Sequence, residues 1–172
     1  MADEVASQPR QTENLNELRE VAFEMNIPKI KDTTYFVQNC NVPGLNISPI
    51  VVPNPVNPVY EQGDAVTFDD LSVQFIVDED LKNWIDIFNW INEIGFPTDH
   101  KEFQTEKAKR KSDITISTYT NSFVPNVRIQ IKDAFPISLS EIPFSSTVTD
   151  ITPIVATVIF KYDSFDVESV KA

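Results

Sequence analysis

One cysteine, one histidine and three glycines in 172 residues remove most familiar chemistry before any pattern is read. With Cys40 alone no intrachain disulfide can form, and synthesis in a reducing compartment fits. His100 is the sole imidazole, so a Ser-His-Asp or Cys-His arrangement would have to use it, and it sits in a polar stretch. One His and one Cys cannot complete a zinc site, and the acids lack the spacing of a calcium loop with its central glycine. Gly44, Gly63 and Gly95 are too far apart to cradle a phosphate. No stretch approaches the roughly 18 apolar residues needed to cross a bilayer, and residues 1–10 carry neither an apolar core nor a basic leader. Secretion and membrane insertion are therefore not expected. Cations are also scarce. The 14 basic side chains against 26 acidic ones give a net charge of −12, which repels polyphosphate and disfavours tight nucleic-acid binding. The expectation is a non-enzymatic protein without cofactor or metal.

What is present is core-forming material. Hydrophobic residues make up 41% and the 12 phenylalanines dominate the aromatics, enough apolar area for one folded domain. Residues 1–33 are rich in Glu, Asn and Gln and read as an N-terminal arm preceding a domain over 34–172. The arm carries one apolar stripe (Leu15, Leu18, Val21, Ala22, Met25) that predicts a short amphipathic helix ended at Ile27 and Pro28.

From Thr34 the pattern turns to strand. Tyr35, Phe36 and Val37 lead to Val42, Pro43, Gly44 and Leu45, where Pro then Gly suit a type II turn. Ile50, Val51, Val52 and Val56 follow among Pro49, Pro53, Pro55 and Pro58. Proline cannot donate to a central ladder, so an edge arm or projecting hairpin is expected. Val66 to Val77 alternates as a half-buried strand, with Leu71, Val73, Phe75 and Val77 on one face. Asp78, Glu79 and Asp80 suit a helix start, where unpaired amides favour negative charge. The helix should run to about Ile94, with Leu81, Trp84, Ile85, Phe88 and Ile91 inward and Gly95 and Pro97 as the stop. Ile87 and Trp90 lie off that stripe, so cover on more than one side is expected.

Thr98 to Ser112 is polar and locally basic (Lys101, Lys107, Lys109, Arg110, Lys111), an exposed loop suited to docking an acidic protein partner. Strands are expected at Ile114–Tyr119, Val127–Ile131 and Phe135–Leu139, with turns at Pro125 and Asn126 and at Lys132 and Asp133. A last strand over Ile154–Tyr162 precedes an acidic tail. The fold class is mainly β with one flanking α-helix.

Several of these segments together resemble the tail tube proteins of T-even-type contractile phages. The resemblance rests on Tyr35, Phe36 and Val37 with Val42, Pro43 and Gly44, then Gly63 and Asp64 leading into Thr67 to Phe75. Val77 to Asp80 and a helix bearing Trp84 and Trp90 follow, and Pro136 to Leu139 and Thr157 to Tyr162 are similar to the closing strands. It spans roughly 34–165 and rests on order and spacing. Baseplate tube initiators, tail terminators and the secreted tube protein of type VI secretion share this architecture.

The resemblance implies a tail-tube-like β-barrel or pair of packed antiparallel sheets. Six copies would close into a ring whose inner strands surround a DNA-wide lumen, with rings stacking through loops and arms. Implied partners are further copies as stacked homohexamers, tail sheath and baseplate proteins, and DNA passing without specific binding, in a virion tail assembled in the host cytoplasm. The ring-stacking arm would be Ile50, Val51, Val52, Pro53, Val56 and Pro58. The lumen should be polar and acidic or neutral, since cations would hold phosphate. Candidates are Asp70, Ser72 and Gln74, and Thr115, Ser117 and Tyr119. Arg128 and Lys132 fit poorly there, so either their strand faces another protein or the lumen is not simply acidic. A baseplate initiator, a neck or terminator ring, and a soluble acidic adaptor stand as alternatives.

Overall fold

In the computed structural model of the chain, the described residues are 22–30, 36–95, 110–147 and 152–170. Eleven strands and one helix follow in order: β1 (Phe23–Asn26), β2 (Val37–Cys40), β3 (Leu45–Ile47), β4 (Ile50–Val52), β5 (Val59–Glu61), β6 (Val66–Phe68), β7 (Leu71–Ile76), α1 (Lys82–Gly95), β8 (Ser112–Tyr119), β9 (Pro125–Leu139), β10 (Val155–Lys161) and β11 (Ser164–Ser169). Seven strands share one antiparallel hydrogen-bonded path, β1-β8-β9-β10-β7-β2, with β11 on β9.

The 15-residue β9 divides this path into two leaves. Its first half lies between β8 and β11, with Gln130 opposite both Thr115 and Asp166. Its second half pairs with β10, which pairs onward to β7 and β2. The division falls where a turn is expected from sequence, at Lys132 and Asp133, and the chain bends there without reversing. Asp133 takes a left-handed conformation (φ 57°) and donates its N–H to Asp113 Oδ1 at 3.0 Å. Such a residue re-aims a strand while the ladder resumes beyond it. The partner strand breaks at the same level, because β10 ends at Lys161, β11 begins at Ser164, and Asp163 N–H bonds Lys132 O at 3.2 Å.

The bend folds the apolar faces of the leaves together. Met25, Ile114, Ile116, Ile129 and Ile131 from one leaf meet Leu71, Val73, Phe75, Ala156, Val158 and Phe160 from the other. Each large side chain fully removed from water contributes about 1.5–3 kcal/mol, so this double layer is the main source of stability. Period-two alternation anticipates the buried members of β7, β8 and β10.

Helix α1 closes one flank through Asn83, Ile87 and Trp90, its buried residues. This corrects the expected inward stripe in part: Ile85 and Phe88 are exposed, whereas Trp84, which stacks on Phe88 with centroids 5.4 Å apart, and Ile91 are partly buried against the core. The helix is apolar around much of its girth, and a buried Asn hides the true face from a hydrophobicity pattern. Asn83 ties the helix start to the end of β7, donating to Ile76 O at 2.8 Å and accepting from Trp84 N at 2.8 Å and Asp78 N at 3.2 Å. The acids Asp78, Glu79 and Asp80 form the preceding turn and not the first helical turn, which holds no acid. Trp90 packs on Phe160 and donates its indole N–H to Arg110 O at 2.6 Å.

Other expectations change. The stripe through Met25 was expected to be helical, yet Phe23–Asn26 forms β1 against β8, because Met25 and Ile27 both fit the core on strand spacing. Residues 1–21, and with them Leu15, Leu18 and Val21, lie outside the described residues. The strand expected over Val66–Val77 breaks at Asp69 and Asp70 into β6 and β7. No described glycine has positive φ, which removes the type II turn at Gly44. Gly44 serves close approach instead, since a Cβ there would lie 2.5 Å from Asp69 Oδ2. The acidic tail holds β11, whose Phe165 and Val167 alternate with Asp166 and Glu168.

Replacing Asn83 with Ala leaves the Ile76 carbonyl and two amides short of partners. We expect a loss of about 2 kcal/mol of unfolding free energy, read from urea denaturation, with no change of fold.

Candidate functional site: a polar sheet face and a projecting ribbon

The first leaf turns its alternate residues outward. Cross-strand register places Glu24, Ser117, Arg128 and Glu168 in one row and Asn26, Thr115, Gln130 and Asp166 in the next. Glu24, Asn26, Thr115, Ser117, Arg128 and Gln130 line a concavity of about 290 Å³. Tyr119 donates its hydroxyl to Glu24, and Lys132 donates to Asp166. The hydrogen bond to Glu24, then burial, pushes the Tyr119 hydroxyl above its usual titration range. Hydrogen bonding to Asp166 raises Lys132 likewise.

Sequence reasoning placed Asp70, Ser72 and Gln74 with Thr115 and Ser117 around one lumen, but the structure does not bring them together. Ser72 and Gln74 are on β7 of the second leaf, opposite Ile159 and Thr157, and Asp70 pairs with Lys161. Since the leaves share a core, their polar faces point away from each other. Thr115, Ser117 and Tyr119 instead share their face with Arg128 and Lys132.

The proline-rich segment is a ribbon standing off the body. Leu45–Ile47 pairs with Val66–Phe68, and Ile50, Val51 and Val52 pair with Glu61, Tyr60 and Val59. Pro53 and Pro58 flank the tip, where Val56 is 84% exposed. Gly63 fits because the ribbon backbone passes it closely; a Cβ would lie 2.0 Å from Ser48 O. A two-stranded ribbon is marginal alone in water, and this one exposes Leu45, Ile47, Ile50, Val51, Val59 and Tyr60.

Of the basic segment, Lys101, Lys107 and Lys109 lie outside the described residues, as does His100. Arg110 accepts the Trp90 indole through its carbonyl, and Lys111 pairs with Asp163 at 2.6 Å. Burial raises the Cys40 thiol, away from reactivity at neutral pH. Among the described residues no group of His, Cys, Asp and Glu could hold a metal ion, and no helix is long and apolar enough to cross a membrane. Sequence reasoning missed the exposed Phe123 at the β8–β9 tip, in a left-handed conformation, and Phe144, 77% exposed. An aromatic in a polar turn was the only available signal for either.

A two-leaved antiparallel body, an open polar face and a projecting apolar ribbon define a structural protein of the tail-tube-like class. The family model described as phage tail tube protein matches residues 5–168, and the chain belongs to that family. It is thus a tail-tube-related structural protein of the virion. It is 31% identical over 161 residues to the tail tube terminator protein of Enterobacteria phage T4, covering 89% of this chain and 90% of that one. Among solved structures it is similar to the tube terminating cap of the anti-feeding prophage, with TM-score 0.67 and 18% identity over 96% of this chain and 99% of that one. A chain of the sheath-tube complex of the PVC extracellular contractile injection system aligns with TM-score 0.64 and 18% identity, over 90% and 93% of the two chains. A chain of that system's sheath/tube terminator structure also gives 0.64 and 18%, over 89% and 97%. At such identities these structures share the fold.

Because folding raises the Tyr119 pKa, its bond to Glu24 contributes fully below the unfolded value of about 10 and is lost as pH rises through the higher folded value. Tyr119→Phe should cost under about 1 kcal/mol at pH 8. The gap from the parent should close in alkaline melts above the tyrosine range.

Proposed function

We propose that this chain forms a homohexameric ring that terminates the tail tube, with the polar face of the first leaf lining the bore through which DNA leaves. The carrying observation is the 31% identity to a tail tube terminator across nearly the full length of both chains. Family membership leaves the adaptor reading without an observation in its favour.

The geometry supplies a route to closure. β1 and β11 are the outer strands of the first leaf, each paired on one side only among the described residues. Strand directions alternate across β1, β8, β9 and β11, so β11 of one copy meets β1 of the next antiparallel. Ring closure thereby satisfies edges that would otherwise template aggregation. The ribbon, with Ile50, Val51, Val52, Pro53, Val56 and Pro58, reaches toward the adjoining tube ring and buries its apolar faces there. Residues before β1 serve as an arm against a neighbour. The tail sheath is a further partner, contacted from outside, and a chain with one cysteine suits assembly in the host cytoplasm.

Negative-stain microscopy of the purified chain should give single sixfold rings that bind the end of preformed tubes. On assembly, amide exchange should slow in β1 and β11 while β8 stays unchanged. Long filaments grown from this chain alone would sink the terminator assignment.

Deleting Val52–Val56 should leave the body folded and the rings intact but abolish their capture by tube ends in cosedimentation. Capture at the parental level would remove the ribbon from stacking.

A further inference from the structure

Every lysine among the described residues is ion-paired: Lys29 with Glu93 at 3.1 Å, Lys82 with Asp80 at 2.5 Å, Lys111 with Asp163 at 2.6 Å, Lys132 with Asp166, and Lys161 with Asp70. Exposed pairs of this kind each contribute under about 1 kcal/mol, so stability alone does not account for their placement. On the polar face of the first leaf it concerns a specific hazard. Lys132 and Arg128 lie on β9 with an even spacing and point to the same side as Thr115 and Ser117. Cations on a surface that DNA slides along would exchange for its counterions and hold it.

β11 answers both. Asp166 accepts from Lys132, and Glu168 stands directly across the ladder from Arg128, where opposite charges on facing strands attract. Glu24 lines the same concavity as Arg128 from β1. Glu24, Asp166 and Glu168 thus outnumber the two cations. The Lys132–Asp166 pair also adds a small local contribution to the ladder. β11 is an outer strand with Val167 59% exposed, so apolar burial holds it only partly, and charge pairing to β9 adds to its ladder.

We infer that Asp166 and Glu168 are charge masks, which keep Lys132 and Arg128 from gripping nucleic-acid phosphates at this face while fastening β11 to β9. The inference rests on the bore reading above and adds to it the residues that make the bore non-adhesive. It predicts a surface that becomes adhesive when carboxylates are neutralised, with no cation added.

The test is binding of a short DNA duplex, followed by fluorescence anisotropy across salt, on both assembled rings and the unassembled full chain. The parent should show no salt-sensitive binding. Asp166→Asn with Glu168→Gln should bind, and two freed cations reaching phosphates should weaken that binding about tenfold between roughly 50 and 200 mM salt. Adding Arg128→Gln and Lys132→Gln should abolish it. Glu168→Gln alone keeps the Lys132–Asp166 pair, guards against loss of β11, and should give a smaller gain. If the folded carboxylate variants bind no more duplex than the parent in either form, the masks are overturned. Absence of rings with the gain intact in the unassembled chain would instead overturn the ring reading and leave the masks standing.

Discussion

The bend shared by β9 and its partner strand is the constraint on which the rest of the molecule depends. Asp133, held in a left-handed conformation by its bond to Asp113, lets one strand serve two leaves, and the break between Lys161 and Ser164 lets β10 and β11 follow it. Without that corner, β9 would be a straight strand in a flat sheet with one apolar face open to water. With it, the isoleucines of the first leaf meet Val73, Phe75, Val158 and Phe160 of the second. Ala134, next to the bend, is fully buried and belongs to the core cluster.

The same corner sets what the surface can do. Folding the apolar faces together turns the polar faces outward in opposite directions, so one face can line a bore while the other meets neighbouring proteins. It leaves β1 and β11 as outer strands of the first leaf, each paired on one side only among the described residues. Open edges are a liability in a monomer and an asset in a ring, because closure supplies the missing partners. The ribbon likewise leaves apolar side chains exposed.

Much of this was legible before the structure. Alternation at Leu71, Val73 and Phe75 and at Ala156, Val158 and Phe160 reflects burial on one side of a pleat, and those residues are in the core. The prolines between Ile50 and Pro58 exclude a central strand, and the segment is a ribbon. The failures share a cause as well. Met25 satisfies helix and strand spacing equally, and only pairing with β8 decides between them. Asn83 and Trp90 are buried while Ile85 and Phe88 of the richer apolar stripe are exposed, and the Asn83 hydrogen bond to Ile76 holds the helix in that rotation. The two lumen candidates look equivalent on their own strands and lie on different leaves.

The sequence by itself determined the kind of protein: mainly β with a flanking helix, poor in reactive groups, strongly acidic, with a projecting apolar segment. Those properties follow from local spacing and composition, which each strand or helix expresses on its own. Only the tertiary structure decided which residues share a face, since that depends on register between strands far apart in the chain. Arg128 and Lys132 read as misplaced cations along β9, and only when β11 lies beside them does Lys132 gain Asp166 as an ion pair and Arg128 face Glu168 across the ladder.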